Sequence, residues 1–307
     1  MNRIGIITRT LDRPVLLERT LRSILAQTCN DWHWLVVTPD PALGVAGLIE
    51  KYHDQLKGRV TVFPYQQPVE GMRGLPLNHA IRNSSTELLT VLDDDDTWDP
   101  MFLEASAAVL DSRHGHLAGG VVSRTQVIEE SGVAEGWALI REYPLNPTLR
   151  SLNLAQLSIV NSYCIHAFVY RRSALEQTGL YPEDYPVLED WHFNLRFLRE
   201  HNIAVLPAIL SFYHQRPGTS SGPDANSLHA ELDLHCFYES RLINDQIRAE
   251  WSSGKPGPGA LLAAGSHVRR LEERIHQLEG KLKTISEKTG RIDSRTKDLR
   301  DQLLKKK

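Results

Sequence analysis

Leu88-Leu89-Thr90-Val91-Leu92-Asp93-Asp94-Asp95-Asp96 is the stretch that decides how the rest of the 307-residue chain is read. Its first five residues make a buried strand, and four acids follow without a break. Like charges crowded at a sheet edge repel one another unless a cation or hydrogen bonds offset them. Hard oxygen donors on a short loop suit Mg2+ or Mn2+. Such an ion usually takes one or two carboxylates from the protein and the rest of its shell from substrate phosphates. A metal-diphosphate site is the leading inference. Helix capping explains only part of the run. Asp99-Pro100 reads as an N-cap with Pro in the first turn of a helix through about Leu110, which accounts for Asp99 and partly for Asp96 but leaves Asp93 to Asp95 without a capping role.

Outward from this strand, the first half alternates strand and helix. Arg3 to Thr8 is a short β-rich run, and Pro14 opens an amphipathic helix with Leu17, Leu21, Ile24 and Leu25 on one face. Trp32 to Thr38 and Val60 to Phe63 are further strands, with a helix at about Leu43 to Leu56 between them. Gly74 to Asn83 is a helix, and Glu87 to Leu92 is the strand that delivers the acids. The pattern predicts an α/β domain with a mainly parallel sheet covered by helices on both faces. Ligands of such sheets bind beyond the carboxyl ends of the strands. Thr8-Arg9-Thr10, Thr38-Pro39-Asp40 and Asp93 to Asp96 all fall at such ends.

The second half is more mixed. A strand pair is expected at Leu117 to Ile128 and Tyr163 to Arg171, with an irregular insertion or lid between them around Pro144 and Pro147. Ser173 to Glu176 has a capping-box pattern, and Gly179 ends that short helix. After the turn-rich Tyr181 to Pro186, a helix runs from Trp191 to about Glu200, placing Glu189 and Asp190 at its N-terminus. Acids there also favour a helix through its dipole.

Composition narrows the class. Hydrophobic residues make up 41% and the formal net charge is −3, which points to no nucleic-acid partner. No apolar run approaches the ~18 residues of a membrane span, so a cytoplasmic protein is expected. Cys29, Cys164 and Cys236 are widely spaced and lack a CxxC, so they suggest neither a disulfide framework nor a zinc site.

Three blocks in order carry a resemblance: residues 4–37 (IGIITRTLDRPVLLERTLRSILAQTCNDWHWLVV), 74–98 (GLPLNHAIRNSSTELLTVLDDDDTW) and 171–198 (RRSALEQTGLYPEDYPVLEDWHFNLRFL). Together they resemble the family-2 nucleotide-sugar glycosyltransferases with a GT-A fold, over roughly residues 3 to 221. The resemblance implies a Rossmann-like sheet, Mn2+ or Mg2+ as cofactor, and inverting transfer from a nucleotide-diphosphate sugar to a glycan or lipid-linked glycan, in bacterial surface polysaccharide synthesis. The DxD motif maps onto Asp93 and Asp95 as metal ligands, with Asp94 and Asp96 as neighbours. The ED pair maps onto Glu189-Asp190, with Asp190 as the catalytic base. Where the family has an acid-rich turn after the second strand, this chain has Thr38-Pro39-Asp40-Pro41, which shifts base reading to Asp40. After the last core strand comes Phe212-Tyr-His-Gln-Arg-Pro-Gly-Thr-Ser-Ser221. Here either His214 contacts metal or phosphate, or Arg216 binds a phosphate as a guanidinium fork. Thr8, Arg9, Thr10, Arg73, Asn78 and Trp191 complete the expected nucleotide-sugar contacts, and Trp191, Tyr181 and Tyr185 offer aromatic faces to sugar rings. A nucleotidyltransferase or a non-catalytic sugar-binding scaffold on an oligomerising coil are the alternatives.

Beyond the catalytic domain at 1–221, a helical extension is expected at 222–251, a Gly/Pro linker at 252–265 and an oligomerising coiled coil at 266–307. Val268, Leu271, Ile275, Leu278, Leu282, Ile285, Thr289, Ile292, Thr296, Leu299 and Leu303 recur at alternating steps of three and four. From Ser266 onward, 13 Lys and Arg face 7 Asp and Glu, ending in Lys305-Lys306-Lys307. That excess suits either a solvated charged face or peripheral contact with an anionic membrane.

Overall fold

A computed structural model describes residues 2–11, 13–42, 44–66, 71–133, 136–217, 232–255 and 257–304, with side-chain surroundings for all of these except 132–133 and 290–304. Strands β1 (Ile4–Arg9), β2 (Trp32–Thr38), β3 (Val60–Pro64) and β4 (Leu88–Val91) stand in the order β3-β2-β1-β4 and are all parallel. Alternate side chains serve opposite faces, as the pleat requires. Ile4, Ile6, Trp34 and Val36 pack with helices α1 (Pro14–Leu25), α2 (Val45–Lys51) and, beyond the short α3 (His53–Leu56), α5 (Phe102–Asp111). Ile7, Leu35 and Val37 pack with α4 (Gly74–Arg82) and α8 (Glu189–Glu200). The carboxyl ends of β1, β2 and β4 therefore share one rim, with the acids at its centre.

Past β4 the sheet changes sense. Strand β8 (Phe168–Arg171) is antiparallel to β4 and to β6 (Ala118–Val133). Strand β9 (Asn202–Gln215) lies parallel to β6, and the two-residue β5 (Thr97–Trp98) closes the row antiparallel to β9. This curl brings the end of β9, with His214 and Arg216, back beside the acidic loop.

Several local expectations are corrected. The helix expected at 43–56 breaks at Tyr52 into α2 and α3, where the Tyr52 hydroxyl donates to Glu18 at 2.7 Å and accepts from Arg22 at 2.9 Å; Leu43 itself lies outside the described residues. The insertion near Pro144 is not irregular: Gly136–Pro144 forms β7, a hairpin partner of β6. Ser173 makes no cap. A 3-10 turn at Arg172–Ala174 leads straight into α7 (Leu175–Thr178), and Arg172 spends its guanidinium on the carbonyls of Ile81 and Thr86. Gly179 ends that helix at φ +77, as expected.

The C-terminal region departs most. Helix α9 (Leu232–Ser253) is followed by α10 (Gly259–Leu304), so the linker is confined to 254–258 and residues 259–265 are helical. The first turns of α10 are docked against the domain. Leu262 is fully buried in the same cluster as Leu157 of α6 (Leu154–Ile159) and Leu242 of α9. A methyl on Gly265 would meet the Ser158 carbonyl at 2.5 Å, so only glycine permits this approach. The apolar gain at Leu262 overrides the Gly/Pro composition that suggested a free joint. Leu262→Ala is expected to lower unfolding stability by about 2–4 kcal/mol in a urea titration. An unchanged midpoint would show that this segment is not part of the core.

Candidate active site

Across Asp93, Asp94, Asp95 and Asp96, side-chain exposure runs 23%, 1%, 10% and 3%. The alternation divides the run into two jobs. Asp94 and Asp96 turn inward and tie elements together. Asp94 accepts Thr10 Oγ1–H at 2.6 Å and both Nε–H (3.1 Å) and Nη2–H of Arg13. Asp96 accepts the His214 backbone N–H at 2.9 Å on one oxygen, and its other oxygen lies 2.9 Å from His166 Nδ1. Burial pushes the Asp94 carboxyl up to about 6 despite Arg13, and raises that of Asp96 despite His166. Asp93 is the one half-open acid, and Asp95, though buried, is less enclosed than Asp94 and Asp96.

Guanidiniums answer these acids. Arg9 grips both oxygens of Asp93, at 2.9 and 3.3 Å. Asp95 Oδ2 accepts Arg13 Nη1 at 3.3 Å and Arg216 Nη2. Burial pushes the Asp95 carboxyl up, but Arg13 and Arg216 outweigh it and hold the group below the ordinary carboxylate range. Arg216 is wholly buried and also reaches Glu130 at 3.4 Å; Arg19 pairs with Glu130 at 2.9 Å and donates to the Asp95 carbonyl at 2.8 Å. Trp137 on β7 lies 5.6 Å from both the Arg19 and Arg216 guanidiniums and covers the pair.

The second part of the site starts α8. Leu188 caps this helix in the left-handed region, φ 62, with no side-chain cap bond. Glu189 is buried and accepts Arg9 Nη1–H at 2.7 Å. Asp190 accepts Asn161 Nδ2–H at 2.8 Å and the Trp191 backbone N–H at 2.7 Å, and Asn161 in turn accepts from Asn194 at 3.1 Å. Burial, with Glu189 alongside, pushes the Asp190 carboxyl up to about 6. A carboxyl so tuned can exchange a proton near neutrality.

The remaining expected contacts fall in varied places. Arg73 lies on the loop before α4 and offers its carbonyl to Arg9 at 2.9 Å. Asp40 is exposed at the end of β2 in an Asx turn to the Ala42 N–H. Thr8 is buried and accepts the Trp34 indole N–H at 2.9 Å, and Asn78 pins the Tyr181 backbone with bonds of 2.9 and 3.0 Å. Both ring nitrogens of His214 are engaged, Nδ1 3.2 Å from Glu130 and Nε2 2.9 Å from Thr97. Trp191 is 4% exposed and donates to the Leu157 carbonyl, and Tyr181 and Tyr185 are 2% exposed. These three rings are packed in the protein and do not present open faces to a sugar. The end of the Phe212 to Ser221 stretch lies outside the described residues. Arg13, Arg19, Glu130, Asn161 and His166 belong to the site and were not singled out from sequence. Arg13 stands just before α1 and Arg19 lies six residues on within it, a spacing that puts them on no common helix face and gave no signal in the sequence.

Residues 6–179 match the family described as Glycosyl transferase family 2. The chain belongs to that family. The match takes in all four acids and ends before Glu189. No curated protein matches the sequence. Among solved structures, the S. aureus TarS fragment 1–349 in complex with UDP-GlcNAc is similar at 19% identity and TM-score 0.55, over 70% of this chain and 59% of that one. The mannosyltransferase PcManGT from Pyrobaculum calidifontis, in complex with GDP-Man and Mn2+, is similar at 17% identity and TM-score 0.52, over 87% and 80%. The chain thus spans about three fifths of the TarS fragment. At these identities the likeness is one of fold, and the fold is GT-A.

If Asp190 serves as a general base, its carboxyl, pushed up to about 6, works only when deprotonated, and turnover should rise with pH through that value. Glu189→Gln removes the neighbouring negative charge and should move the midpoint to lower pH. A rate that is flat from about pH 5 to pH 8 would remove Asp190 from this role.

Proposed function

We propose that the protein transfers a sugar from a nucleotide-diphosphate donor to a hydroxyl of a glycan or lipid-linked glycan, with inversion at the anomeric carbon. The observation that carries this reading is the split within the acidic run. Asp93 is half-open at the carboxyl end of β4 with the less enclosed Asp95 two residues on, and the start of α8, with Asp190 next to the Glu189 that Arg9 binds, is tied to Asp93 through that arginine. Membership of glycosyl transferase family 2 and a fold shared with a protein solved with UDP-GlcNAc and one solved with GDP-Man support a nucleotide-sugar donor.

The donor set fits a hard divalent ion. Asp93 and Asp95 are carboxylates two residues apart on one short loop, Asp93 half-open and Asp95 buried, and PcManGT was solved with Mn2+. Among the described residues, no group of three or more His, Cys, Asp and Glu is disposed to hold an ion alone, and ions of this kind usually draw on substrate phosphates as well. When bound, Mn2+ or Mg2+ would neutralise charge on the departing diphosphate. The chain's own residues do the rest. Arg13 and Arg216 meet Asp95 and offset its charge, and Arg13, the less buried of the two, carries a planar fork of the kind that suits phosphate oxygens. Asp190, oriented by Asn161 and the Trp191 N–H, takes the acceptor hydroxyl proton on the face opposite the leaving group.

Helix α10 is read as an oligomerising element. Leu271, Ile275, Leu278, Leu282 and Ile285 are each more than half exposed along its seam, and an apolar stripe of this length in water calls for a second copy of itself. The positions from Ile292 onward lie outside the described side chains, as does Lys305-Lys306-Lys307. Among the described residues no helix is long and apolar enough to cross a membrane.

Nucleoside diphosphate release from a panel of UDP- and GDP-sugars with Mn2+ or Mg2+ tests the reaction. Asp95→Asn and Asp190→Asn should each lower turnover by at least ~10²-fold while the fold survives, and chelator should act like Asp95→Asn. Full turnover by either variant would sink that residue's assignment. For the helix, truncation after Gly280 keeps the docked turns and should give a monomer in light scattering where the full chain gives a multimer; equal monomeric masses would defeat the oligomer.

A further inference from the structure

Arg9 leaves β1 at its carboxyl end with a guanidinium that is only 17% exposed. Its Nε and Nη2 hold the two oxygens of Asp93, while Nη1 donates to Glu189 Oε1 at 2.7 Å and to the Arg73 carbonyl at 2.9 Å. Of the five N–H groups of a guanidinium, four are thus committed. One planar group joins three segments distant in sequence: the loop after β4, the loop before α4 and the first turn of α8.

The start of α8 depends on such an anchor. Leu188 sits in the left-handed region without glycine's freedom, and it offers no side-chain bond to the helix. Glu189 is buried, and Arg9 is the cation that answers it. The residue after Glu189 is Asp190.

We propose that Arg9 is a positioning residue and not a donor ligand: it clamps the base-bearing start of α8 to the donor-side acid Asp93. This rests on the transferase reading for what the clamp serves, though the clamp itself stands on the geometry. A guanidinium can meet a carboxylate with two parallel bonds and a second acid with a third. The compact ammonium of lysine cannot span both. Loss of the clamp shifts the base relative to the donor without removing a phosphate contact.

Arg9→Lys keeps the charge and Arg9→Gln removes it. In both, turnover number should fall by about 10²-fold, the usual cost of a small misplacement of reacting groups. Binding of UDP or GDP with Mn2+, measured by calorimetry, should weaken by far less than turnover falls, since Arg9 reaches the donor side only through Asp93. Arg9→Gln combined with Glu189→Gln should lose little more than Arg9→Gln alone, since both break one contact. Amide exchange in Arg9→Gln should quicken in both segments 93–97 and 189–192. Lost nucleotide affinity with turnover retained would make Arg9 a donor ligand and overturn the proposal. Losses that multiply in the double variant, or exchange unchanged in either segment, would also overturn it. If the wild-type protein released no nucleotide from any donor, the transferase reading would fail, while the exchange measurement would still decide the clamp.

Discussion

Four carboxylates in a row cannot end a buried strand unless cations reach them, and the arrangement of this fold follows from how that requirement is met. Arg9 and Arg13 come from the end of β1 and the start of α1, Arg19 from within α1, and Arg216 from the end of β9. Each is brought to the acids by a different part of the chain. Leaving a buried acid such as Asp95 without its cation costs on the order of 3–5 kcal/mol, so the acidic loop selects a topology in which β9 curls back past β6 to deliver Arg216. On the transferase reading, the same charges that bind the fold together are the ones a donor diphosphate would meet.

This double use explains what was legible from residues alone. The parallel half of the sheet was readable because strands buried on both faces are continuous apolar runs, as in Trp32 to Thr38. The acids were readable because capping leaves Asp93 to Asp95 without a role. Their division of labour was not. Which of the four are least enclosed depends on the turn after β4, and the difference in side-chain exposure that separates Asp93, and less sharply Asp95, from Asp94 and Asp96 exists only in three dimensions. Two arginine partners, Arg13 and Arg19, were hidden for a related reason: an arginine facing solvent and one turned onto a buried acid are the same letter. The aromatics misled in the opposite direction. Trp191 and Tyr181 stand beside a turn, where a sugar platform is reasonable, but Trp191 donates to the Leu157 carbonyl and Tyr181 stacks on Phe193 with ring centres 4.1 Å apart.

The C-terminal helix shows composition overruled by packing. Glycine and proline around 254–259 promised a loose joint, yet the chain turns there in a few residues and α10 docks at once through Leu262 and Gly265. Arg269, a turn further on, pairs with Glu239 of α9 and lies 5.3 Å over the Trp191 ring. The helix therefore leaves the domain from a fixed point beside the residue that follows Asp190. On the oligomeric reading, partners held by this helix would carry their active sites at a set spacing, which would favour successive encounters with one long acceptor through effective concentration.

The central claim is that Asp93 and Asp95 form the donor diphosphate site. The most direct measurement is the anomalous scattering map of crystals grown with Mn2+ and a nucleoside diphosphate. The account predicts a manganese peak in contact with a carboxylate oxygen of Asp93 or Asp95 and with the diphosphate. Nucleotide bound with its diphosphate away from the end of β4, or manganese held by residues other than these acids, would contradict it.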